Sequence, residues 1–192
     1  DVIKINKQLK KKELDDITSL KQPTVFYYNN SINVEKLIDT SNETAHVRQI
    51  NKKNYVSVPF KSALVLLKND KSYYSDNNVS ITDYHSDNKE TAFLKPSMTI
   101  FQEDDIIIGV QNTQYPIKKM YHHRNFFFIA SGKVKITLYA PNNIIKNEHI
   151  SKDSVMMEYI LTLENNRNYK NKRIELNSGS YLFVPGHWYV QI

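Results

Sequence analysis

The stretch Tyr121–Pro141, YHHRNFFFIASGKVKITLYAP, decides how the rest of the chain is read. Two apolar runs, Asn125–Ala130 and Val134–Tyr139, flank a short Ser131-Gly132-Lys133 connection. β-Branched and aromatic residues favour extended backbone, and glycine admits the positive φ of a tight turn. The pattern predicts a hairpin of two strands turning at Gly132, one of only four glycines in the chain. Its first arm runs Phe126-Phe127-Phe128-Ile129-Ala130 without polar alternation, as expected of a strand covered on both faces.

Upstream, Asp1–Leu20 sets Lys7 and Lys10–Lys12 before Glu13, Asp15 and Asp16, with Leu9, Leu14, Ile17 and Leu20 at helical intervals. The acids neutralise the lysines, so a short amphipathic helix outweighs a basic arm for nucleic acid. Strands are expected at Thr24–Tyr28, Ala45–Ile50, Tyr55–Val58, Ser97–Phe101 and Asp105–Val110, with short helices at Val34–Ile38 and Phe60–Lys68. Asp70–Glu90 is polar; Asp83, His85 and Asp87 have the spacing of a metal cluster on one strand face, but no apolar shell surrounds them, and a solvent loop is expected. Past the central stretch, a loop at Asn142–Asp153 leads to strands at Val155–Leu163 and Arg173–Leu176. Many short strands with few helices argue for a mainly β barrel or sandwich. The 192 residues suit one structural domain: an N-terminal part over 1–95 packed on a barrel core over 96–192.

The formal charge of +6 comes almost wholly from lysine, with arginine only at 48, 124, 167 and 173. Arginine is the residue expected where phosphates and bases are read, so the excess reads as solvation, with nucleic acid bound at most non-specifically. The tyrosines and Trp188 suit a stacking platform, a protein interface, or ordinary strand positions with a hydroxyl at the surface. No cysteine is present, which excludes disulfides and thiolate metal sites. The longest apolar run is far short of a membrane span, and no membrane association is expected. Abundant Lys, Asn, Ile and Tyr beside scarce Gly, Pro and Arg is the bias of an AT-rich genome.

Asn125, the aromatics that follow it, Gly132 seven residues on, Leu138 and Pro141 resemble the inner hairpin of cupin-like JmjC-type domains. Gly179-Ser180-Tyr181-Leu182-Phe183-Val184-Pro185-Gly186-His187-Trp188-Tyr189 is similar to their closing Gly-Asp-x-Leu-x-Ile-Pro-x-x-Trp-Trp-His strand pair, and Pro23–Phe26 resembles an early Pro-Val-Val strand. The resemblance implies a double-stranded β-helix, the cupin or jelly-roll barrel, with a few short helices in its N-terminal part. With the compositional bias, it brings a giant DNA virus to mind, and with it a virion or the cytoplasm of an infected cell.

In that family a histidine, an acid two residues later and a distal histidine hold Fe(II), leaving open positions for 2-oxoglutarate and oxygen. Aligned on Asn125, the first two positions fall on Lys119 and Tyr121; aligned on Pro116, they fall on Lys118 and Met120. The distal position falls on Val190, and the lysine that anchors 2-oxoglutarate falls on Val134. Asn125 is the one pocket residue retained. A lysine ammonium has no lone pair for a metal. The alternative set, His123 and His187 with a carboxylate, needs a different register; His123 is expected to face inward with Asn125. The expectation is a module without metal or cofactor that binds protein partners, among them virion or assembly proteins. The alternatives are an oxygenase with a non-standard metal site and a weak nucleic-acid binder. Because the family adds one strand after the distal-histidine strand, completing the larger sheet, an open slot is also expected in that sheet, with the chain a fragment or its partner donating a strand.

Overall fold

Alternation along the strands around Gly132 and Gly179 sorts their side chains into layers, and two sheets meet across one of them. The computed structural model describes residues 1–28, 44–49, 52, 54–78, 92–96, 105–141, 148–151, 158–161 and 170–192. Its elements run β1 (Ile3–Gln8), α1 (Lys11–Ser19), β2 (Thr24–Tyr27), β3 (Thr44–Gln49), β4 (Val56–Pro59), α2 (Phe60–Asn69), β5 (Tyr73–Ser75), a 3₁₀ turn at Ala92–Leu94, β6 (Ile117–Lys119), β7 (Arg124–Phe128), β8 (Lys133–Tyr139), β9 (Glu148–Ser151), β10 (Glu158–Leu161), β11 (Asn171–Asn177), β12 (Ser180–Pro185) and β13 (Tyr189–Gln191). The protein is mainly β with largely antiparallel sheets, and no closed barrel is present among the described residues. Contacts group into two compact units, Asp1–Ile32 with Pro116–Ile192, and Asn33–Tyr115.

In the first unit a four-stranded sheet has the order β1-β2-β12-β7 and a six-stranded sheet the order β11-β8-β13-β6-β10-β9. The two share one apolar cluster. Val25, Leu182 and Val184 come from the smaller sheet; Ile136, Leu138, Ile174, Leu176 and Val190 come from the larger, with Phe127, Val134, Met120 and Trp188 packed against them. Each aliphatic side chain withdrawn from water in this way contributes about 1.5–3 kcal/mol. The opposite face of the smaller sheet is aromatic: Phe26, Tyr181 and Phe183 are fully buried, and Phe126 and Phe128 add their rings to them. β12 is therefore covered on both faces.

The expected hairpin is corrected. β7 pairs with β12, whereas β8 pairs with β11 and β13 in the other sheet, so the two arms do not pair with each other. Gly132, at φ +78°, turns an arch between sheets. Gly179, at φ +84°, turns a second arch between β11 and β12. The arches lie side by side: Ser178 N–H donates to Gly132 O at 3.0 Å, Gly179 N–H to Ile129 O at 2.8 Å, and Ile129 N–H to Ser180 O at 3.0 Å. The reason is in the side chains, since Phe127 and Ile136 both belong in the same core and reach it from opposite sheets.

β13 is paired on both edges, with β6 and with β8, and among the described residues the larger sheet ends at β11 and β9. Asp1–Leu20 is not helical throughout: β1 runs parallel to β2 before α1 begins. Leu9, Leu14 and Ile17 are buried as their spacing predicts, while Leu20 is exposed. Glu13 accepts the Lys10 N–H at 2.8 Å and so caps α1; that hydrogen bond, with the Lys7 ammonium, holds its carboxyl below the usual carboxylate range. The expected Asn142–Asp153 loop contains β9, and Asp105–Val110 makes a single bridge, Ile108 to Ser75, rather than a strand. The helix expected at Val34–Ile38, the strand at Ser97–Phe101 and the Asp83/His85/Asp87 set lie outside the described residues.

The second unit is a three-stranded sheet, β4-β3-β5, with α2 packed on it through Phe60, Ala63 and Leu67 against Ala45 and Val47. The apolar spacing of Phe60–Lys68 is what forms that helix, and Pro59 starts it.

Candidate functional site

β6 and β13 decide which of the two family alignments faces the core. Their register pairs Lys118 with Val190 and Lys119 with Tyr189. Residues directly opposite in an antiparallel pair share a face. Lys118 and Val190 are therefore on the inner face, where Met120, Val134 and Val190 all pack into the shared apolar cluster. Lys119 lies on the other face with Tyr189, its ammonium 5.5 Å from the Tyr121 ring centroid and 5.7 Å from that of Tyr189. An ammonium over two rings is held by their quadrupoles. Tyr121 is exposed and Tyr189 buried.

The inner set to which the resemblance points, Lys118, Met120 and Val190 with Val134, does not fit Fe(II) and 2-oxoglutarate. A primary ammonium, a thioether and two aliphatic side chains supply no carboxylate or imidazole for a hard dication, and no cation stands at the Val134 position to meet the cosubstrate's carboxylate. Lys133 and Lys135 flank Val134 on the opposite face, and Lys133 Nζ lies 2.9 Å from Glu175 Oε1. That hydrogen bond lowers the Glu175 pKa.

The histidines are elsewhere. His122, His123 and His187 are all exposed. His123 does not share the burial that its parity with Asn125 led us to expect. His187 adopts a left-handed φ of +69°, and its N–H donates to Met120 O at 2.6 Å. Met120 N–H in turn donates to Trp188 O at 2.8 Å. Gly186 sits so close to this segment that a Cβ there would come within 3.0 Å of His122 O. Asn125 ties the same corner, its Nδ2 donating to His122 O at 2.8 Å and to Val184 O at 3.1 Å. Asn125 is thus a backbone clamp at this corner. Among the described residues no three of His, Cys, Asp and Glu converge in a way that suits a metal.

The residues that sequence reasoning passed over are in the second unit. Arg48, fully buried, donates to the Tyr74 hydroxyl, lies 3.6 Å from Asp76 and stacks 4.4 Å from the Tyr55 ring centroid. Asn78, also buried, donates to Ser75 Oγ at 2.9 Å and Ile106 O at 2.6 Å and accepts His46 N–H at 2.8 Å. Burial, with Asp76 nearby, pushes the Tyr115 hydroxyl pKa up, and that hydroxyl donates to Ile108 O at 2.6 Å. The scarcity of arginine was the one signal that could have drawn attention to Arg48. No described helix is long and apolar enough to cross a membrane. Compared with known proteins, the chain matches no family profile and no curated protein sequence, so the JmjC-like resemblance rests on the residues quoted for it.

Proposed function

We propose that the chain is a non-catalytic, cupin/JmjC-like module acting through protein–protein contacts, as a structural component such as a virion or assembly protein. In this reading the fold is a double-stranded β-helix. Its support is the chain path: β6, β7 and β8 alternate between the larger, smaller and larger sheets, and β11, β12 and β13 repeat the alternation. The observation that carries the functional reading is the packing of Met120, Val134 and Val190 into one apolar cluster at the positions where the family places metal and cosubstrate groups. An interior filled by these side chains contributes stability and puts no carboxylate or imidazole at those positions.

The test is metal analysis and calorimetry of the purified chain with Fe(II) and 2-oxoglutarate. We expect no saturable binding of either. Stoichiometric Fe, Mn or Zn that survives a chelator wash and is lost in His123→Ala would replace this reading with the oxygenase. DNA binding is expected to be weak, about 10⁻⁴–10⁻⁶ M, and to fall steeply with salt; sequence-specific binding that persists at about 0.2 M salt would favour a nucleic-acid binder.

A further inference from the structure

Strand edges in the first unit are treated unequally. β11, at one edge of the larger sheet, exposes Lys172, Arg173 and Glu175 around its buried Ile174 and Leu176. β1, at one edge of the smaller sheet, exposes Lys4, Asn6, Lys7 and Gln8. Charged side chains of this kind are how edge strands avoid pairing with other chains. β7, at the other edge of the smaller sheet, is built differently. It reads Arg-Asn-Phe-Phe-Phe, is half-buried at every position, and among the described residues no strand pairs with its outer side. Its single charge is spent internally, since Arg124 Nη1 donates to Asp15 Oδ1 on α1 at 3.0 Å.

The backbone fixes which groups remain. Ile129 N–H donates to Ser180 O, and ladder alternation then turns Phe127 and Asn125 toward β12. The N–H and C=O groups of Arg124, Phe126 and Phe128 face outward.

We propose that this edge pairs with β7 of a second copy of the chain, antiparallel and centred on Phe126. It deepens the proposed function, on which it rests, by naming the partner. The strand is self-complementary in that register. Full overlap of Arg124–Phe128 with itself sets Phe126 opposite Phe126, and Arg124 of each copy opposite Phe128 of the other. All outward backbone groups are then paired. No cation faces a cation: each Arg124, held by Asp15 of its own chain, lies opposite Phe128 of the other copy. Both layers of apolar packing, Phe127 on the shared core and Phe126 with Phe128 on the aromatic face, continue across the junction. The product is one continuous sheet running β1-β2-β12-β7 into its two-fold mate.

The test is sedimentation with site-directed cross-linking. The chain has no cysteine, so one introduced thiol reports one position. With dilution, the sedimenting mass is expected to fall from that of two chains to that of one. Under mild oxidation Phe126→Cys is expected to give a disulfide-linked dimer, because paired Cα atoms about 5.5 Å apart lie within disulfide reach. Val65→Cys, at a position 60% exposed on α2, is expected to remain a single chain. Should Phe126→Cys fail to fold, amide exchange of the unaltered chain serves: the Arg124, Phe126 and Phe128 amides are expected to lose protection on dilution. A chain that stays single at every concentration, a dimer cross-linked through position 65 but not 126, or amides indifferent to concentration would overturn the pairing. Iron binding by the dimer would remove the non-catalytic reading and leave the pairing standing.

Discussion

In the unit formed by Asp1–Ile32 and Pro116–Ile192, the layer between the sheets is made of Val, Ile, Leu, Met, Phe and Trp side chains. In the unit Asn33–Tyr115, the largest fully buried side chain among the described residues is Arg48, set among Tyr74, Asp76 and Tyr55. The first kind of core depends on volume and shape, and exchanges one aliphatic group for another at small cost. The second depends on each polar partner being in place, because a charge left unpaired in a low dielectric is far more expensive than a missing methyl group. The two units should therefore fail in different ways when single residues are changed.

The largest effect is expected from Asp76→Ala. It removes the carboxylate that lies 3.6 Å from the buried Arg48 guanidinium and should cost about 3–5 kcal/mol. Hydrogen exchange should show protection lost across β3 and β5 while β8 and β11 keep theirs. Equal loss in both units would break the comparison.

Leu138→Ala is the counterpart in the apolar layer, where Leu138 is fully buried, and should cost about 2–5 kcal/mol by denaturant unfolding. The sharper form pits Leu138→Met against Arg48→Lys. The methionine should cost under about 1.5 kcal/mol, whereas lysine keeps the charge but loses the planar fork and the stacking on Tyr55, and should cost more.

Gly132→Ala comes next. A Cβ there would meet nothing within 4 Å, so the whole cost is the left-handed φ of +78°, about 1–2 kcal/mol. Asparagine, which tolerates that region, should recover part of it.

The smallest effect concerns Tyr115. Burial raises its folded pKa above that of the unfolded chain, so the stability linked to it is fully present below about pH 10 and is lost as pH rises from there toward the folded value. Tyr115→Phe should remove the hydrogen bond to Ile108 O, costing about 1 kcal/mol at neutral pH, and flatten the alkaline fall. Thermal melts across the alkaline range would show it. An unchanged alkaline slope would mean that the hydroxyl is not the titrating group.

Much of the secondary structure was legible because it is written in local periodicity. Phe60–Lys68 carries its own apolar stripe and proline start, and appears as α2. Gly132 and Gly179 mark turns that need positive φ, and both have it. Alternation along Lys133–Ile136 sets Lys133 and Lys135 on the opposite face from Val134, and both are exposed. β5 and β9 were not legible, because Tyr73–Ser75 and Glu148–Ser151 lie in polar surroundings and owe their strand geometry to neighbours distant in sequence, β3 and β10.

By itself, then, the sequence determined which segments extend, where the chain turns sharply, and which face of β8 is apolar. Period two sets the faces of a strand but is silent on the strand beside it. Only the tertiary structure decided that the arms on either side of Gly132 part into different sheets, because both must reach the same core. It also decided that Lys118 rather than Lys119 shares a face with Val190, since a slip of one residue turns every side chain over. Arg48 belongs in the same class. Its burial is set by Asp76 and Tyr74 arriving from a strand region more than twenty residues away, and no pattern around position 48 carries that information.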